Sequence, residues 1–312
     1  MRIETSAPTR IDLAGGTIDI WPLYLFHEGA LTLNAAISLR AHASIEARKD
    51  GRIELHSVDA GRRISAAGWQ ELSGSSELPL LALLARHYRL ENATLTTRGE
   101  SPAGGGIAGS SALTIAACGA LAEWTHQSTG EEDLLRVAMN VECQTIKVPT
   151  GVQDYRPALY GGVAAIELKV EGIARVEIET DPAELEQRIT LAYTGAPRNS
   201  GTNNWEITKR HIDGDREIFD CFERIRDTAV AIGVGAASVR EIDTYNIYHA
   251  STRAIRRAIS RLPQRPDHIV LDGKPIRTLG MEHTAVVKGD SRCYAIACAS
   301  IIAKVLRDGL MR

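Results

Sequence analysis

Cysteine is scarce in this chain, and the arrangement of the few cysteine residues argues against a zinc ribbon and against a disulfide framework. No CxxC pair occurs, so nothing indicates a zinc ribbon. An odd number of scattered cysteines does not suit a disulfide framework, and buried thiols in a reducing cytoplasm are the expected state. The histidines form no cluster with the spacing of metal ligands. The five cysteines are Cys118, Cys143, Cys221, Cys293 and Cys298.

Long apolar runs and a surplus of charge are also missing. No stretch approaches the length that spans a membrane, and the N-terminus has no secretory signal pattern. The net charge is −3, from 36 basic and 39 acidic residues, which argues against general affinity for nucleic acid or membranes. The 312 residues, 44% of them hydrophobic, are enough for two globular units. We therefore expect a cytoplasmic protein.

A glycine cluster in residues 97–116, TTRGESPAGGGIAGSSALTI, is the strongest local signal. Glycines remove side chains where a backbone wraps closely around an anion, and two serines then open an Ala/Leu-rich helix. The start of a helix favours phosphate through its free N–H groups and its dipole. No lysine follows the last glycine, which excludes the P-loop of NTPases. The predicted phosphate-binding residues are Pro102, Gly104, Gly105, Gly106, Gly109, Ser110 and Ser111.

This stretch resembles the phosphate loop of the GHMP kinases, whose pattern is Pro-x-Gly-x-Gly-Leu-x-Ser-Ser-Ala. Here Ile107 stands for the leucine, and one extra small residue precedes the serines. Two further segments resemble GHMP motifs in the same order. They are SAPTRIDLAGGTIDIWPLY near the N-terminus and VECQTIKVPTGVQDYRPALYGG over residues 141–162. The resemblance implies an ATP-dependent kinase that uses Mg²⁺ and phosphorylates a hydroxyl of a sugar or sugar phosphate.

The same resemblance implies a role for individual residues. The loop would hold the β- and γ-phosphates of ATP, and Ser111 with Glu142 would bind Mg²⁺. Asp154 would be the catalytic carboxylate that orients or deprotonates the acceptor, while Arg10 offsets charge on the transferred group. Asp19 would accept hydrogen bonds from substrate hydroxyls, beside the turn of Gly15 and Gly16.

Simpler interpretations of these residues stay open at this point. Arg10 and Asp19 would also suit a surface ion pair at the end of a strand. Glu142 would suit a solvated helix position, and Asp154 a turn after Gly151.

The resemblance predicts an α+β fold in three parts. Residues 1–180 would form the GHMP N-terminal ATP-binding domain, of the ribosomal protein S5 domain 2-like type. Residues 181–228 would begin the ferredoxin-like C-terminal domain. Residues 188–209 resemble the strand and loop that open it; Ser200, Gly201 and Asn204 would approach a substrate there, although each alone better suits a polar surface loop. The late glycine-rich loop of that domain is missing, since no glycine cluster follows Gly235.

Residues 229–312 instead resemble ribonuclease HII, an α/β RNase H-like enzyme. The matching segments include DHIVLDGKPI and VVKGDSRCYAIACASIIAKVLRDGLM. This part carries 13 basic and 7 acidic residues, a net of +6, whereas the upstream part has a net of −9. Such asymmetry suits an acidic small-molecule domain joined to a piece of a nucleic-acid-binding protein. We interpret the chain as a chimera with its seam at residues 228–232.

The nuclease-like part has only half of the carboxylates that two-metal cleavage requires. The resemblance supplies Asp272 and Asp290, but nothing matches the Asp-Glu-x-Gly-Arg-Gly motif of the first strand. We therefore interpret these two aspartates as remnants of a metal site. Nucleic acid is expected to bind, if at all, through this segment, with Lys288, Ser300 and Lys304 as the candidate phosphate contacts.

Three functions follow from these resemblances. They are an ATP-dependent kinase, a ribonuclease HII-like endonuclease, and a non-catalytic ATP-binding protein. Hydrophobic periodicity adds predicted helices over residues 111–126 and 131–145, in FDCFERIRDTAVAIG and over residues 250–262 and 294–311. Strands are predicted in RIETSAP, ALTLNAAISL and HASIEA, a hairpin in GGVAAIELKV and GIARVEIET, and a short buried strand in DHIVLDG.

Overall fold

A computed structural model describes residues 2–73, 77–127, 130–178, 200–230, 239–260 and 269–289, together with the single positions 180, 262, 266 and 296. The architecture is α+β. The chain divides into two compact units, one of residues 1–178 with 193–223 and one of 179–192 with 224–312. Within the described ranges, no helix is both long enough and apolar enough to cross a bilayer.

One mixed sheet of seven strands organises the first unit. Its order is β4-β3-β5-β2-β6-β7, with β1 paired to β2; only β3 and β5 run parallel. Alternating burial along β5 shows the period of two that places one face of a strand against a core. The strands are β1 (Arg2–Ala14), β2 (Leu31–Ala47), β3 (Ile53–Ser57), β4 (Arg62–Ala66), β5 (Ala93–Gly99), β6 (Val163–Lys169) and β7 (Gly172–Glu177).

Strand β2 is longer than the sequence pattern predicts. The two strands expected in ALTLNAAISL and HASIEA form one continuous strand, because Arg40 and Ala41 stay paired with Pro8 and Ala7 of β1. The predicted hairpin is confirmed as β6 and β7. Strand β1 has register shifts between Pro8 and Arg10 and again between Asp12 and Ala14. Such irregularities redirect side chains, and here they lie on either side of the segment that carries Arg10 and Asp12, two residues of the candidate site.

Four helices accompany the sheet in this unit. Helix α2 begins two residues before its predicted start, and α3 matches its prediction almost to the residue. Alanines along α2 allow a close approach to the sheet, and Ala116 and Ala117 are buried in the main core with Leu121. The helices are α1 (Pro79–His87), α2 (Gly109–Trp124), α3 (Glu131–Ile146) and α4 (Arg156–Tyr160).

Two further helices follow, α5 (Ser200–Ile212) and α6 (Arg216–Val230). The helix expected in FDCFERIRDTAVAIG is confirmed as α6. The expected strand and loop over residues 188–209 is wrong from Ser200 onward, because Thr208 and His211 lie one helical turn apart and bury a common face. Ser200, Gly201 and Asn204 therefore lie in the first turns of a helix. Residues 188–199 are outside the described part of the chain.

The second unit contains helix α7 (Val239–Ser260), which is kinked at Asn246, and the parallel strands β8 (Ile269–Asp272) and β9 (His283–Val286). The helix predicted over residues 250–262 is confirmed as far as Ser260, and the strand predicted in DHIVLDG is confirmed as β8. Their apolar residues form a small core of Leu271, Ile276 and Leu279, against which α7 packs Ile255 and Ile259. The helix predicted over 294–311 falls on residues that are not described.

Candidate active site

Arg10 connects three separate segments of the chain. Its Nε donates to Asp154 Oδ1 at 3.0 Å, and its Nη2 donates to the same oxygen. Its Nη1 donates to the carbonyl of Gly106 at 3.2 Å and lies 2.9 Å from Asp12 Oδ2. The backbone N–H of Arg10 donates to the carbonyl of Ile107 at 3.1 Å. Strand β1, the glycine loop and the Asp154 segment therefore meet at one buried guanidinium, which excludes a surface ion pair.

The charges around Arg10 are strongly coupled. Burial alone would lower the pKa of Arg10, but Asp154 and Asp12 outweigh this effect and raise it, so the guanidinium stays protonated. Burial raises the pKa of Asp12 to about 6, against the opposing effects of Arg10 and of the Asn34 amide. The result is a largely buried, partly acidic centre with one permanent cation.

The glycine loop leaves the beginning of α2 open. Gly104 and Gly106 have φ values of +69° and +75°, a region that side chains disfavour. A Cβ at Gly109 would collide with the Ser101 hydroxyl. No side chain caps α2, so its first N–H groups have no side-chain acceptor. Pro102 is exposed, and an anion can reach these amides from solvent.

Glu142 lies beside the same helix start. The hydroxyl of Tyr155 donates to Glu142 Oε2 at 2.7 Å, and the side chains of Ser110 and Ser111 lie near enough to this carboxylate to oppose the rise in its pKa. Burial, with a contribution from the charge of Asp154, raises the pKa of Glu142. Glu142 is therefore a buried carboxylate and not a solvated helix residue. Its oxygens and the serine hydroxyls form a set of hard donors of the kind that Mg²⁺ accepts.

Asp19 is almost fully buried and lies within the electrostatic reach of Asp154. Its Oδ2 accepts the backbone N–H of Gln153 at 2.7 Å, whereas Oδ1 has no partner. A Cβ at Gly151 would collide with this carboxylate, so glycine is needed there for the close approach. Burial, and then the charge of Asp154, raises the pKa of Asp19 to about 7. Its unpartnered oxygen is available to a ligand.

The remaining predicted residues of the N-terminal motif shape the turn after β1. Gly15 has a φ of +77°, and a Cβ there would collide with the carbonyl of Leu31. Gly16 lies next to the Asp12 carboxylate, where a Cβ would come 3.7 Å from Oδ2. Gly15 thus lets the turn return tightly toward β2, whereas a side chain at Gly16 would make only an ordinary contact with Asp12.

A cavity of about 290 Å³ opens beside Asp19, and we call it the Asp19 cavity. Its wall joins the N-terminal motif, α3 and the segment that carries Asp154. Most of the lining is apolar, with a few polar groups, which is typical of small-molecule sites. Among the residues that line it are Asp19, Trp21, Tyr24, Leu135, Met139 and Arg156.

Several residues of the first unit that make buried contacts, at this site or away from it, were not predicted. Asp12 lies two positions after Arg10, and the period of two along a strand would have placed both on one face. Tyr155 directly follows Asp154, but nothing in the sequence indicates that its hydroxyl reaches Glu142. His27 and His211 meet at 2.8 Å between their Nε2 atoms, and His27 Nδ1 lies 2.5 Å from Glu223. The two histidines are 184 positions apart in the sequence, which conceals this contact from any spacing rule.

The nuclease-like residues show a simpler arrangement. Asp272 ends β8, and its Oδ1 accepts the backbone N–H of Gly289 at 2.7 Å. Asp290, Ser300 and Lys304 lie outside the described residues, and Lys288 is described with a φ of +55°. In the described part of the chain, no group of three or more His, Cys, Asp or Glu residues could hold a metal ion.

Two protein families match separate parts of the chain. The family described as GHMP kinases N terminal domain matches residues 78–162, and the family Ribonuclease HII matches residues 214–312. The chain therefore resembles GHMP kinase N-terminal domains over residues 78–162 and ribonuclease HII over residues 214–312, and the expected seam at residues 228–232 lies within the second match.

Curated relatives match the second segment. A ribonuclease HII from Synechococcus sp. (strain JA-3-3Ab) is 49% identical over 90 residues, which are 29% of this chain and 40% of that protein. One from Bacillus cytotoxicus is 41% identical over 105 residues, 34% of this chain and 39% of that protein. The chain thus spans about two fifths of the length of these relatives.

Solved structures match most of the chain in fold. A D-glycero-D-manno-heptose 1-phosphate kinase from Bacteroides thetaiotaomicron has a TM-score of 0.58 at 23% identity, covering 83% of this chain and 77% of that one. Lactococcus lactis galactokinase complexed with galactose has a TM-score of 0.51 at 16% identity, with 83% and 73% covered. Methanococcus jannaschii mevalonate kinase has a TM-score of 0.52 at 16% identity, with 74% and 73% covered. These likenesses show a GHMP kinase-like fold.

Proposed function

We propose that this protein is an ATP-dependent kinase of GHMP type, which transfers the γ-phosphoryl group of ATP to a hydroxyl of a sugar or sugar phosphate. The observation that carries the proposal is the junction at Arg10. One buried guanidinium contacts both the carbonyl of Gly106 in the glycine loop and the carboxylate of Asp154. A phosphate-binding loop and a candidate catalytic carboxylate are thereby held together, as phosphoryl transfer requires.

The glycine loop and the start of α2 suit the phosphates of ATP. The uncapped N–H groups of α2 supply hydrogen-bond donors and the positive end of a helix dipole. The hydroxyls of Ser110 and Ser111 lie at the same end. We assign the loop from Pro102 to Gly109, with these serines, to the β- and γ-phosphates.

The donor set at Glu142 suits Mg²⁺. A buried carboxylate with hydroxyl oxygens beside it is a hard oxygen site, next to the expected position of the phosphates. We assign Glu142 and Ser111 as its ligands. When bound, Mg²⁺ would neutralise phosphate charge and polarise the transferred group.

We assign the binding and activation of the phosphoryl acceptor to Asp154, Arg10 and Asp19. We assign to Asp154 the orientation or deprotonation of the attacking hydroxyl, because its side chain is 28% exposed and one oxygen is anchored by Arg10. Arg10 stays protonated and offsets the charge that develops on the transferred group. Asp19 would bind a substrate hydroxyl through its unpartnered oxygen in the Asp19 cavity.

We also propose the finer domain assignment. Residues 1–180 would form the ribosomal protein S5 domain 2-like ATP-binding domain, residues 181–228 the start of a ferredoxin-like domain, and residues 229–312 an incomplete RNase H-like segment. The scattered cysteines are the basis for proposing a cytoplasmic location.

A ribonuclease HII-like endonuclease is the second candidate, and the match over residues 214–312 favours it. Two-metal cleavage needs convergent carboxylates, and the carboxylate of Asp272 bonds to the Gly289 amide with no cluster around it in the described residues. We therefore rank the kinase first. Cleavage of an RNA/DNA hybrid by the full chain, lost in Asp272→Asn, would reverse this order.

The proposed kinase activity is tested by comparing the rate of sugar phosphorylation by the parent with that of Asp154→Asn. The full chain is incubated with ATP, Mg²⁺ and a panel of sugars and sugar phosphates. Loss of a positioned base lowers turnover by about 10²–10⁴-fold, and ATP binding should be retained. Asp213→Asn is the matched control, since Asp213 is exposed at the end of α5. Equal turnover in both variants would remove Asp154 from the mechanism, and ATP binding without turnover in the parent would indicate a non-catalytic ATP-binding protein.

A further inference from the structure

The two arginines that line the Asp19 cavity already have carboxylate partners. Arg156 is buried and donates from both terminal nitrogens to Glu132, at 2.9 and 2.8 Å. Arg136 pairs with Asp133 one turn away on α3. With Asp19 and Glu132 also in the wall, the charges that line the cavity are balanced.

This balance matters because phosphate groups are recognised by charge that has no other partner. Arginine binds phosphate through the same fork of N–H donors that it offers to a carboxylate. Glu132 occupies that fork on Arg156. A phosphorylated acceptor would have to displace Glu132 from a buried arginine in a cavity that Asp19 also lines.

The polar atoms that lack partners in the cavity wall suit hydroxyl groups. Asp19 Oδ1 and Arg156 Nε are both buried and have no hydrogen-bond partner. A hydroxyl is both a donor and an acceptor, so a polyol can satisfy the carboxyl oxygen and the N–H together. A buried polar atom left without a partner is costly, which favours occupation by such a ligand.

The rest of the wall suits a sugar ring. Trp21 is 67% exposed and lines the cavity with an aromatic side chain, while Leu135 and Met139 on α3 supply apolar surface. The volume of about 290 Å³ is near the lower end of the range for small-molecule sites, about 300–1,000 Å³. A ligand the size of a single monosaccharide combines the required apolar ring faces with hydroxyl groups at its edges.

We infer that the acceptor is an unphosphorylated sugar, and that Glu132 excludes sugar phosphates by neutralising Arg156. The inference rests on the proposed kinase function and narrows its substrate class. Asp19 binds a hydroxyl, Trp21 packs against one face of the ring, and the Arg156–Glu132 pair closes the cavity to dianionic substituents.

Binding measured without ATP tests the inference. Calorimetric titration of the full chain uses hexoses and heptoses, each beside its 1- or terminal phosphate. At least one free sugar should bind 10-fold or more tightly than its phosphate. Glu132→Gln should raise affinity for that sugar phosphate by 10-fold or more, with little change for the free sugar, because Arg156 then carries an unopposed charge. Trp21→Ala should weaken sugar binding, whereas Trp205→Ala, at another exposed tryptophan of the same unit, should not.

Three results would overturn the inference. They are tighter binding of a sugar phosphate than of its parent sugar by the parent protein, no gain of phosphate binding in Glu132→Gln, and no binding of any sugar in the panel. The fold of each variant is checked by circular dichroism. Failure of the proposed function is seen separately, as a lack of ATP binding by the same preparations.

Discussion

Removing the charge of Arg10 should destabilise the first unit far more than the loss of a surface charge would. Arg10 is buried and contacts Asp154, Asp12 and the Gly106 carbonyl. Removing one partner of a buried ion pair costs about 3–5 kcal/mol, because the remaining charges are left uncompensated. Asp154 is partly exposed, so solvent offsets some of that cost. We expect Arg10→Gln to lower the free energy of unfolding by about 3 kcal/mol.

Native-state hydrogen exchange at the amides of β2 and β5 measures this change within the first unit. A double-mutant cycle with Asp154→Asn isolates the pair, and contacting residues of this kind give coupling energies of about 0.5–3 kcal/mol. Arg63→Gln is the control, since Arg63 pairs with Glu54 at 3.2 Å but is itself 58% exposed. An exposed pair contributes about 0–1 kcal/mol.

Two outcomes would refute this reasoning. One is an Arg10→Gln cost no larger than that of Arg63→Gln. The other is strict additivity of the changes at Arg10 and Asp154. Either result would mean that the guanidinium does not hold the glycine loop and the Asp154 segment together.

Three further predictions concern buried polar groups of the same unit. Because the pKa of Asp19 is raised to about 7 in the folded protein, this carboxyl group ionises at lower pH in the unfolded chain. The stability that it contributes is therefore lost as pH rises from about 4 through 7. Urea denaturation at pH 8 should show that Asp19→Asn is more stable than the parent. Tyr155→Phe removes the hydroxyl that holds Glu142, and the Mg²⁺ concentration for half-maximal ATP binding should rise about 10-fold. Burial, together with the charge of His27, lowers the pKa of His211. The contribution of His211 to stability is therefore present above pH 6.5 and is lost as pH falls. The difference in the free energy of unfolding between the parent and His211→Gln should shrink from pH 7 to pH 5.

Matched variants make these three predictions decisive. Asp213→Asn should not change the pH dependence, and an Asp19→Asn profile parallel to the parent would contradict the first prediction. Tyr160→Phe, in α4 near Tyr155, should leave the Mg²⁺ titration unchanged. His87→Gln, at an exposed histidine, should show no pH-dependent difference. Unaltered Mg²⁺ dependence in Tyr155→Phe would remove the positioning role of that hydroxyl.

Local patterns were sufficient to predict most helices and strands of the first unit. Alternation of polar and apolar residues predicted the β6–β7 hairpin, and the alanine-rich run after Gly109 predicted α2. The pattern failed where tertiary pairing decides the outcome. Strand β2 continues through Arg40 because β1 pairs with it there. Residues 200–209 are helical because Thr208 and His211 bury a face against the first unit.

Sequence motifs predicted which residues belong to the candidate site but not how those residues contact one another. Arg10, Asp19, Glu142 and Asp154 carried the resemblance, but the contacts of Arg10 with Asp154 and of Asp19 with Gln153 join segments more than a hundred residues apart. The pairing of Arg156 with Glu132 gave no sequence signal, since 24 residues separate them without a shared pattern. Such contacts arise from the packing of α3 against α4, which no single segment encodes.

Phosphorus NMR of the full chain with ATP, Mg²⁺ and an unphosphorylated sugar tests the central claim most directly. The junction of the glycine loop, Arg10 and Asp154 predicts that ADP and a phosphorylated sugar appear in equal amounts, and that neither appears with Asp154→Asn although ATP still binds. Formation of ADP with inorganic phosphate alone, or equal product from the Asp154→Asn variant, would contradict it.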